Sequence, residues 1–175
     1  GMEGAVWGAA GQGAQGYTAD QRVQIPDPVK DGYTFSGWSP TGLRTDAVKP
    51  FVIEPGTYLT VPSNTLTLTA IWEPVTYSIS YTLNGGKWTA EDAPRVASFY
   101  TAAWTEDYKL PNPVREGYEF RGWTGANGTV PSTNVVITAG SFGAKSYTAN
   151  WTAVGYHITW NMSGAPDQGY ASTYT

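Results

Sequence analysis

The sequence predicts a mainly β protein made of tandem repeats, each a small twisted sheet with an aromatic core and at most a short helix. Three observations support this fold class: a long segment that occurs twice, strands with strictly alternating apolar residues, and a high content of aromatic residues. A chain of 175 residues has room for two such modules, each near the size at which a hydrophobic core becomes marginal.

One segment of the chain occurs twice. Ile25 to Trp38 reads IPDPVKDGYTFSGW, and Leu110 to Trp123 reads LPNPVREGYEFRGW. Every Pro, Gly and aromatic residue of the first copy recurs in the second at an offset of 85 (38 to 123). A period of this order indicates an array of small modules rather than one globular enzyme.

Strands are marked by alternation between apolar and polar residues. Tyr77 to Leu83 (YSISYTL) carries its apolar side chains at odd positions, and Asn84-Gly85-Gly86 ends the strand with residues that tolerate positive φ. Tyr156 to Met162 repeats this strand at an offset of 79 (77 to 156), and the closing strands end at Trp72 and Trp151 with the same offset. The opening and closing strands of the module are therefore both repeated.

Further strands are expected over 107–110, 117–123 and 135–138, with a variable stretch over 87–106. Thr89-Ala90-Glu91-Asp92 resembles a helix start, but Pro94 limits that helix to about one turn.

These elements set the domain boundaries. Residues 1–74 form a first module that lacks its opening strand, 75–154 form a second, nearly complete module, and 155–175 begin a third with its opening strand. Residues 3–16 are rich in Gly and Ala and show no recognisable opening strand. The strand over 156–162 is expected to pair with the exposed edge of the first module or to pack against its own neighbour.

The residue types of the central motif indicate its turns, its bulge and its core positions. Asp31-Gly32 and Glu116-Gly117 are turn dipeptides, and Gly37 and Gly122 are expected to mark a bulge that re-aims the following Trp. The aromatic residues of the repeat are predicted to form the core because they recur at alternating positions. The predicted core residues are Tyr33, Phe35, Trp38, Trp72, Tyr118, Phe120, Trp123 and Trp151.

Composition argues against several functions. The net charge of −4 disfavours a general nucleic-acid role and a basic patch for membranes, and no apolar run is long enough to insert into a membrane. The chain has no cysteine, so thiolate metal sites and a Cys nucleophile are excluded. With His157 as its only histidine, a zinc site or a Ser-His triad is nearly excluded too.

Other chemistry has little support. Glu91-Asp92 and Glu106-Asp107 are the candidate acid pairs for a glycosidase, but neither pair has a partner in the first copy. The acids are too scattered for a calcium loop, and an isopeptide bond from Lys87 or Lys145 to Asn150 requires a buried Asn where an outward one is expected. We therefore expect no enzyme activity, no metal and no cofactor.

Trp88, Trp104 and Tyr100 are the candidate binding residues. Trp88 and Trp104 flank the variable stretch. Like Trp7, they lie outside the set of repeated residues that is predicted to form the core. Exposed aromatic faces stack on sugars and also anchor protein partners, so either ligand class would fit. The other interpretation is that these side chains cap the core or cover an edge.

The landmarks resemble the Listeria-Bacteroides repeat, also called the internalin B-repeat type. The opening strand of that family ends in Asn-Gly-Gly, which matches 83–86. Its central Gly-Tyr-x-Phe-x-Gly-Trp motif matches 32–38 and 117–123, and its closing Ala-x-Trp motif matches 70–72 and 149–151. The resemblance implies compact α+β, β-grasp-like modules in tandem on secreted or cell-surface bacterial proteins.

The predicted function is then a structural spacer or stalk with an adhesion or protein-interaction surface, and carbohydrate binding is the alternative. The expected partners are a host or bacterial surface protein or a glycan, together with the neighbouring modules of a longer chain.

Overall fold

A computed structural model of the chain describes residues 5–7, 16–41, 52–60, 66–159, 163 and 173–174. The structure confirms the mainly β fold class. The one helix among these residues is a short 3-10 turn, Ala93–Arg95, and no described helix is long and apolar enough to cross a membrane. The strands are β1 (Ala5–Trp7), β2 (Arg22–Gln24), β3 (Pro28–Lys30), β4 (Tyr33–Thr41), β5 (Tyr58–Thr60), β6 (Thr67–Pro74), β7 (Thr76–Thr82), β8 (Phe99–Thr101), β9 (Tyr108–Lys109), β10 (Tyr118–Gly125), β11 (Gly128–Ser132), β12 (Val136–Ile137), β13 (Lys145–Ala153), β14 (Tyr156–His157) and β15 (Thr173–Tyr174).

The chain divides into two compact units. Unit 1 comprises Gly1–Tyr77 with Thr101–Thr105 and Ala139–Gly143, and unit 2 comprises Ser78–Tyr100, Glu106–Thr138 and Ala144–Thr175. Each unit contains one copy of the central motif, in β4 and β10.

Unit 2 is built on a five-stranded sheet in the order β11-β10-β13-β7-β8. The closing strand β13 lies between two partners: it is antiparallel to β10 and parallel to the opening strand β7. The parallel register pairs Lys145 with Ile79 and Tyr147 with Tyr81. The alternation that predicted a half-buried strand is present, since Ile79 is buried and its neighbours Ser78 and Ser80 are exposed.

Unit 1 repeats part of this arrangement. Its strands form two-stranded antiparallel pairs, β4 with β6, β2 with β5 and β1 with β3. The pair β4–β6 corresponds to β10–β13, because Phe35 faces Trp72 as Phe120 faces Trp151. The sequence showed no opening strand over 3–16. The structure has the short strand Ala5–Trp7 there, which pairs with β3 as Lys87 pairs with Val114 in unit 2, so it corresponds to the segment after the Asn-Gly-Gly turn and not to the opening strand. Residues 3–4 and 8–15 lie outside the described part of the chain.

The predicted bulge is confirmed in both copies. The register between paired strands shifts between Phe35 and Gly37 and again between Phe120 and Gly122. Each bulge glycine has a positive φ, 127° at Gly37 and 123° at Gly122, and a Cβ on Gly122 would lie 2.5 Å from the backbone of Ser132. The extra residue returns the next Trp to the face of the preceding Phe, which is how the two rings meet.

The segment between the predicted strands 117–123 and 135–138 contains a strand that the sequence did not predict. Gly128–Ser132 forms β11 and pairs with β10, with Trp123 opposite Ser132. This strand could not be predicted, because Asn127-Gly128 has turn chemistry and the side chains of β11 are mostly exposed.

The third opening strand begins as predicted at Tyr156. In the structure Tyr156–His157 pairs with Thr173–Tyr174. The strand is shorter than predicted, because Ile158 and Thr159 belong to no strand, and residues 160–162 lie outside the described residues.

Candidate functional site

The aromatic core of unit 2 is centred on Trp123, whose side chain is fully buried. Its ring lies 5.4 Å from Phe120, 5.7 Å from Tyr81 and 5.8 Å from Trp88, measured between ring centroids. The indole Nε1 donates a 3.3 Å hydrogen bond to the carbonyl oxygen of Pro111, in the Pro-x-Pro turn of the repeated motif. The motif therefore supplies both the ring at the centre of the core and the acceptor for its one polar atom.

Trp88 contributes to this same core. Besides Trp123, its ring meets Tyr81 edge-on at 5.2 Å, and the side chain is half-buried. A sugar platform needs a free aromatic face, and Trp88 gives much of its ring surface to these contacts.

The other two candidate binding residues differ in exposure and in the unit to which they belong. Tyr100 is only 2% exposed, so its ring offers no face to a ligand. Trp104 is half-buried and belongs to unit 1, whereas Trp88 and Tyr100 belong to unit 2. Trp88 and Tyr100 thus belong to the core of unit 2, and neither offers a sugar the free ring face that the sequence-based prediction required.

The Asn-Gly-Gly turn is held by the closing strand. Trp151 Nε1 donates a 2.9 Å hydrogen bond to the carbonyl oxygen of Leu83, and Asn84 Nδ2 donates a 2.8 Å bond to that of Ala149. A Cβ placed on Gly86 would overlap the Trp151 ring, so the glycine makes room for the indole. Asn84 itself has a φ of 50°, a conformation that Asn tolerates better than most residues.

A cation lies over the motif tyrosine in both copies. The Arg115 guanidinium carbon lies 3.6 Å from the centre of the Tyr118 ring, and the Lys30 ammonium lies 4.0 Å from that of Tyr33. Arg115 also donates a 3.0 Å hydrogen bond to the carbonyl oxygen of Asn84. Both tyrosines thus lie toward the edge of the core, and Tyr118 is 38% exposed.

The core of unit 1 repeats the same contacts on a smaller scale. Phe35 meets Trp38 at 5.2 Å and Trp72 at 5.4 Å, just as Phe120 meets Trp123 at 5.4 Å and Trp151 at 5.2 Å. Trp38 is buried together with Ile25 and Ile53, and partly buried apolar side chains pack against them. These partly buried residues are Phe35, Leu59, Leu68 and Ala70.

Two tyrosines hold the variable stretch through the backbone of one residue, Ala97. Tyr81 donates a 3.0 Å hydrogen bond to the carbonyl oxygen of Ala97, and the amide of Ala97 donates a 3.0 Å bond to the Tyr108 hydroxyl. Burial raises the pKa of the Tyr81 hydroxyl, and the neighbouring Tyr108 raises it further. Burial also raises the pKa of Tyr147 and of Tyr100. All three hydroxyls are therefore neutral at physiological pH.

The residues that sequence reasoning considered for chemistry do not converge. Among the described residues, no three His, Cys, Asp or Glu side chains lie close enough to hold a metal ion. Glu91 pairs with Arg95 at 3.8 Å on the surface, while Asp92 accepts a 2.7 Å hydrogen bond from the Thr89 hydroxyl. The segment predicted to start a helix at Thr89 forms a turn, and the short 3-10 helix follows it over Ala93–Arg95 without a side-chain cap. His157 is exposed.

The residues considered for an isopeptide bond make other contacts. Asn150 Nδ2 donates to the Gly122 and Thr148 carbonyls and to the Thr124 hydroxyl, each at 3.1 Å. The Lys145 ammonium lies 5.6 Å from the centre of the Tyr100 ring.

Sequence analysis left two interpretations of Trp88 open, a binding residue or a cap on the core, and did not consider Arg115. Val6 pairs with Val29 in unit 1 as Lys87 pairs with Val114 in unit 2, so Trp7 and Trp88 occupy equivalent backbone positions. Their offset of 81 (7 to 88) differs from both offsets used to align the copies, which is why the match was overlooked. The equivalence of the two tryptophans is visible when Gly4-Ala5-Val6-Trp7 is aligned with Gly85-Gly86-Lys87-Trp88.

The comparisons with known proteins agree with the repeat. The sequence pattern of the Listeria-Bacteroides repeat domain matches residues 7–70 and 77–142. A protein of Evansella cellulosilytica named as a Gly-rich membrane protein is 39% identical over 107 residues, which covers 59% of this chain and 11% of that protein. A second protein of the same organism, named as a membrane protein, is 36% identical over 96 residues, covering 55% of this chain and 12% of that protein. No solved structure shows a significant match.

Proposed function

This chain belongs to the Listeria-Bacteroides repeat domain family, and we propose that it acts as a non-catalytic structural spacer in a larger bacterial surface or secreted protein. The observation that carries the proposal is that both repeats devote the same landmark residues to the same internal contacts. The Phe–Trp pair, the bulge glycine and the closing Trp serve the core in each copy. Residues of this kind give a module stability rather than a ligand site.

The junctions after each repeat support a spacer role. The amide of Val75 donates a 2.9 Å hydrogen bond to the carbonyl oxygen of Gly32, and the amide of Val154 does the same to Gly117. The chain that leaves each closing strand is thus fixed at once to a turn of the same repeat. A short junction with a fixed starting direction limits the freedom of whatever follows it, as a stalk requires.

The strand arrangement of unit 2 supports a β-grasp-like description of the complete repeat. The opening strand β7 and the closing strand β13 are adjacent and parallel at the centre of the sheet, and β10 lies antiparallel on the other side.

A location at the cell surface is proposed from the family and from the relatives, two of which are named as membrane proteins. The absence of cysteine in the sequence fits an exported bacterial protein.

The spacer proposal is tested in the longer protein that carries the repeats. Residues 1–175 are exchanged for an unrelated pair of folded modules of similar span, and display and binding by the remaining parts are measured on cells. A spacer predicts that display and binding survive the exchange. Loss of binding with normal display would show instead that the repeats contact a partner directly.

Carbohydrate binding is the alternative proposal. Trp104 is the candidate that supports it best, since it is half-buried and lies outside the unit 2 core, whereas Trp88 packs in that core. A glycan-array screen of the chain beside a Trp104→Ala variant tests it. Specific binding that the variant loses would favour carbohydrate recognition, and the absence of binding by folded protein would leave the spacer role.

A further inference from the structure

The first and last strands of the second repeat are neighbours in its sheet and run in the same direction. The opening strand β7 pairs in parallel with the closing strand β13, with Ile79 facing Lys145 and Thr82 facing Thr148. Because the two strands are parallel, the start of β7 and the end of β13 lie at opposite ends of the pair. Tension along the chain therefore pulls the two strands in opposite directions along their own axes, which is a shearing load.

A shearing load acts on every hydrogen bond between β7 and β13 at the same time. These bonds are evenly spaced and run from strand to strand, so they share the force and must break almost together. A load that separates the strands from one end breaks the same bonds in turn, and each bond then bears the force alone. Resistance to force depends on the rate of unfolding, so the direction of the load can change it at constant stability.

Two side-chain hydrogen bonds continue the contact beyond the paired residues. Asn84 Nδ2 donates a 2.8 Å bond to the carbonyl oxygen of Ala149, and Trp151 Nε1 donates a 2.9 Å bond to that of Leu83. Both bonds join the turn that ends β7 to β13. The two strands are thus connected from Ile79 up to this turn, and the same shearing load acts on the whole connection.

The side chains of β7 oppose sliding as well. Ile79 is buried, and the Tyr81 ring lies 5.7 Å from that of Trp123 and 6.1 Å from that of Tyr147, between centroids. A slip of β7 by one residue would turn Ile79 and Tyr81 to the opposite face of the sheet. The core contacts and the hydrogen bonds of β7 must therefore be lost together.

We propose that unit 2 bears mechanical load, and that the β7–β13 pair with its two side-chain bonds is the clamp that keeps the repeat folded under tension. The proposal rests on the spacer function, since a spacer between a cell and a bound partner carries whatever force acts on that partner. It adds to the spacer function a specific device, located in two strands. Unfolding by tension along the chain then requires β7 to slide as a whole against β13.

Single-molecule stretching of the full chain with optical tweezers tests the clamp. The chain has no natural cysteine, so pairs of introduced cysteines define where the force is applied. Thr76→Cys with Ala153→Cys loads the clamp in shear, and Thr76→Cys with Ala144→Cys separates its strands from one end. All three positions are exposed, and the two pairs enclose stretches of similar length. The shear pair should unfold at a force several times higher, and equal unfolding forces would overturn the proposal.

Two glycine variants test the location of the clamp. Asn84→Gly removes the 2.8 Å side-chain bond to β13, and glycine accepts the φ of 50° found at that position. Asn127→Gly is the matched control, because it removes a bond of the same length, to the carbonyl oxygen of Trp123, outside β7 and β13. Asn84→Gly should lower the shear unfolding force more than Asn127→Gly does, beyond any difference in their free energies of unfolding in urea. Equal shear forces for the two variants would contradict the assigned clamp.

Failure of the clamp and failure of the spacer function give different results. Equal unfolding forces in the two directions would remove the load-bearing role, while binding on cells would still survive exchange of the repeats for unrelated modules. Loss of binding after that exchange would remove the spacer function, while the difference in force between the two directions would remain.

Discussion

Trp151 Nε1 donates a 2.9 Å hydrogen bond to the carbonyl oxygen of Leu83, which ties the closing strand of the second repeat to the end of its opening strand. The two residues are far apart in sequence, so the bond closes the module. Gly86 lies under the same indole, and a Cβ there would overlap the ring. The Asn-Gly-Gly turn is thus required by the tryptophan that closes the repeat.

The first prediction follows from that overlap. Gly86→Ala should destabilise the protein by about 1–3 kcal/mol, because the added methyl forces the Trp151 ring to move in a packed site. Gly16→Ala is the matched control, since no atom of the described residues lies within 4 Å of its Cβ position. Urea denaturation of both variants measures the difference. Equal stability of the two variants would show that the indole can shift freely.

Truncating the central tryptophan should have a larger effect. Trp123→Ala removes the fully buried ring around which Phe120, Tyr81 and Trp88 pack, and we expect a loss of about 3–5 kcal/mol in the free energy of unfolding. Val130→Ala, on an exposed position, should change stability little. Thermal denaturation of the two variants distinguishes these outcomes, and a stable Trp123→Ala variant would rule out the assigned core.

The turn glycines of the two copies provide a third comparison. Gly32 and Gly117 have nearly the same φ, 78° and 75°, so the backbone strain of an alanine should be similar at both. A Cβ on Gly32 would lie 2.5 Å from Ala102 Cβ, a contact within unit 1, whereas nothing described lies within 4 Å of the Gly117 position. Gly32→Ala should therefore destabilise by about 1–3 kcal/mol more than Gly117→Ala. Matching denaturation midpoints for the two variants would contradict this contact.

Stability should fall at alkaline pH. Burial raises the pKa of Tyr81, Tyr147 and Tyr100 in the folded state, while the unfolded chain releases these protons near the ordinary tyrosine value of about 10. Above that pH the unfolded chain binds fewer protons than the folded one, so the free energy of unfolding decreases as pH rises. The contribution is fully present below about pH 10 and is lost toward the raised pKa values.

Tyr81→Phe tests this pH dependence. The variant should lose about 0.5–1.5 kcal/mol at neutral pH, because the Ala97 carbonyl loses its 3.0 Å hydrogen bond, and its stability should fall less steeply in alkali. Tyr58→Phe, at an exposed position, is the control. Urea denaturation from neutral pH to about pH 11 gives both quantities, and an unchanged alkaline slope in Tyr81→Phe would contradict the assignment.

Much of the fold was predictable because the repeated segment shows the same strands, turns and bulges twice in one sequence. The bulges at Gly37 and Gly122 and the opening strand at Tyr77 follow from local residue types that occur twice or alternate strictly. These features depend on backbone conformation and on periodicity, which a sequence displays directly.

The role of Trp88 was less predictable. Its packing against Trp123 brings a residue outside the strands against β10, and the one sequence signal for it is the match between Trp7 and Trp88 at an offset of 81 (7 to 88). Arg115 was no more predictable, because its contacts with Asn84 and Tyr118 depend on how the turns meet in space. Tertiary contacts of this kind decide which aromatic residues are left for a ligand.

The central claim is that the landmark aromatics build the cores of the repeats, and indole hydrogen exchange measured by NMR tests it most directly. Trp123 Nε1 and Trp151 Nε1 both donate to backbone carbonyls within unit 2. The account predicts that both indole protons exchange far more slowly than those of free tryptophan and lose protection together on unfolding. Rapid exchange of either proton in the folded protein would contradict the claim and would make these side chains candidates for ligand binding.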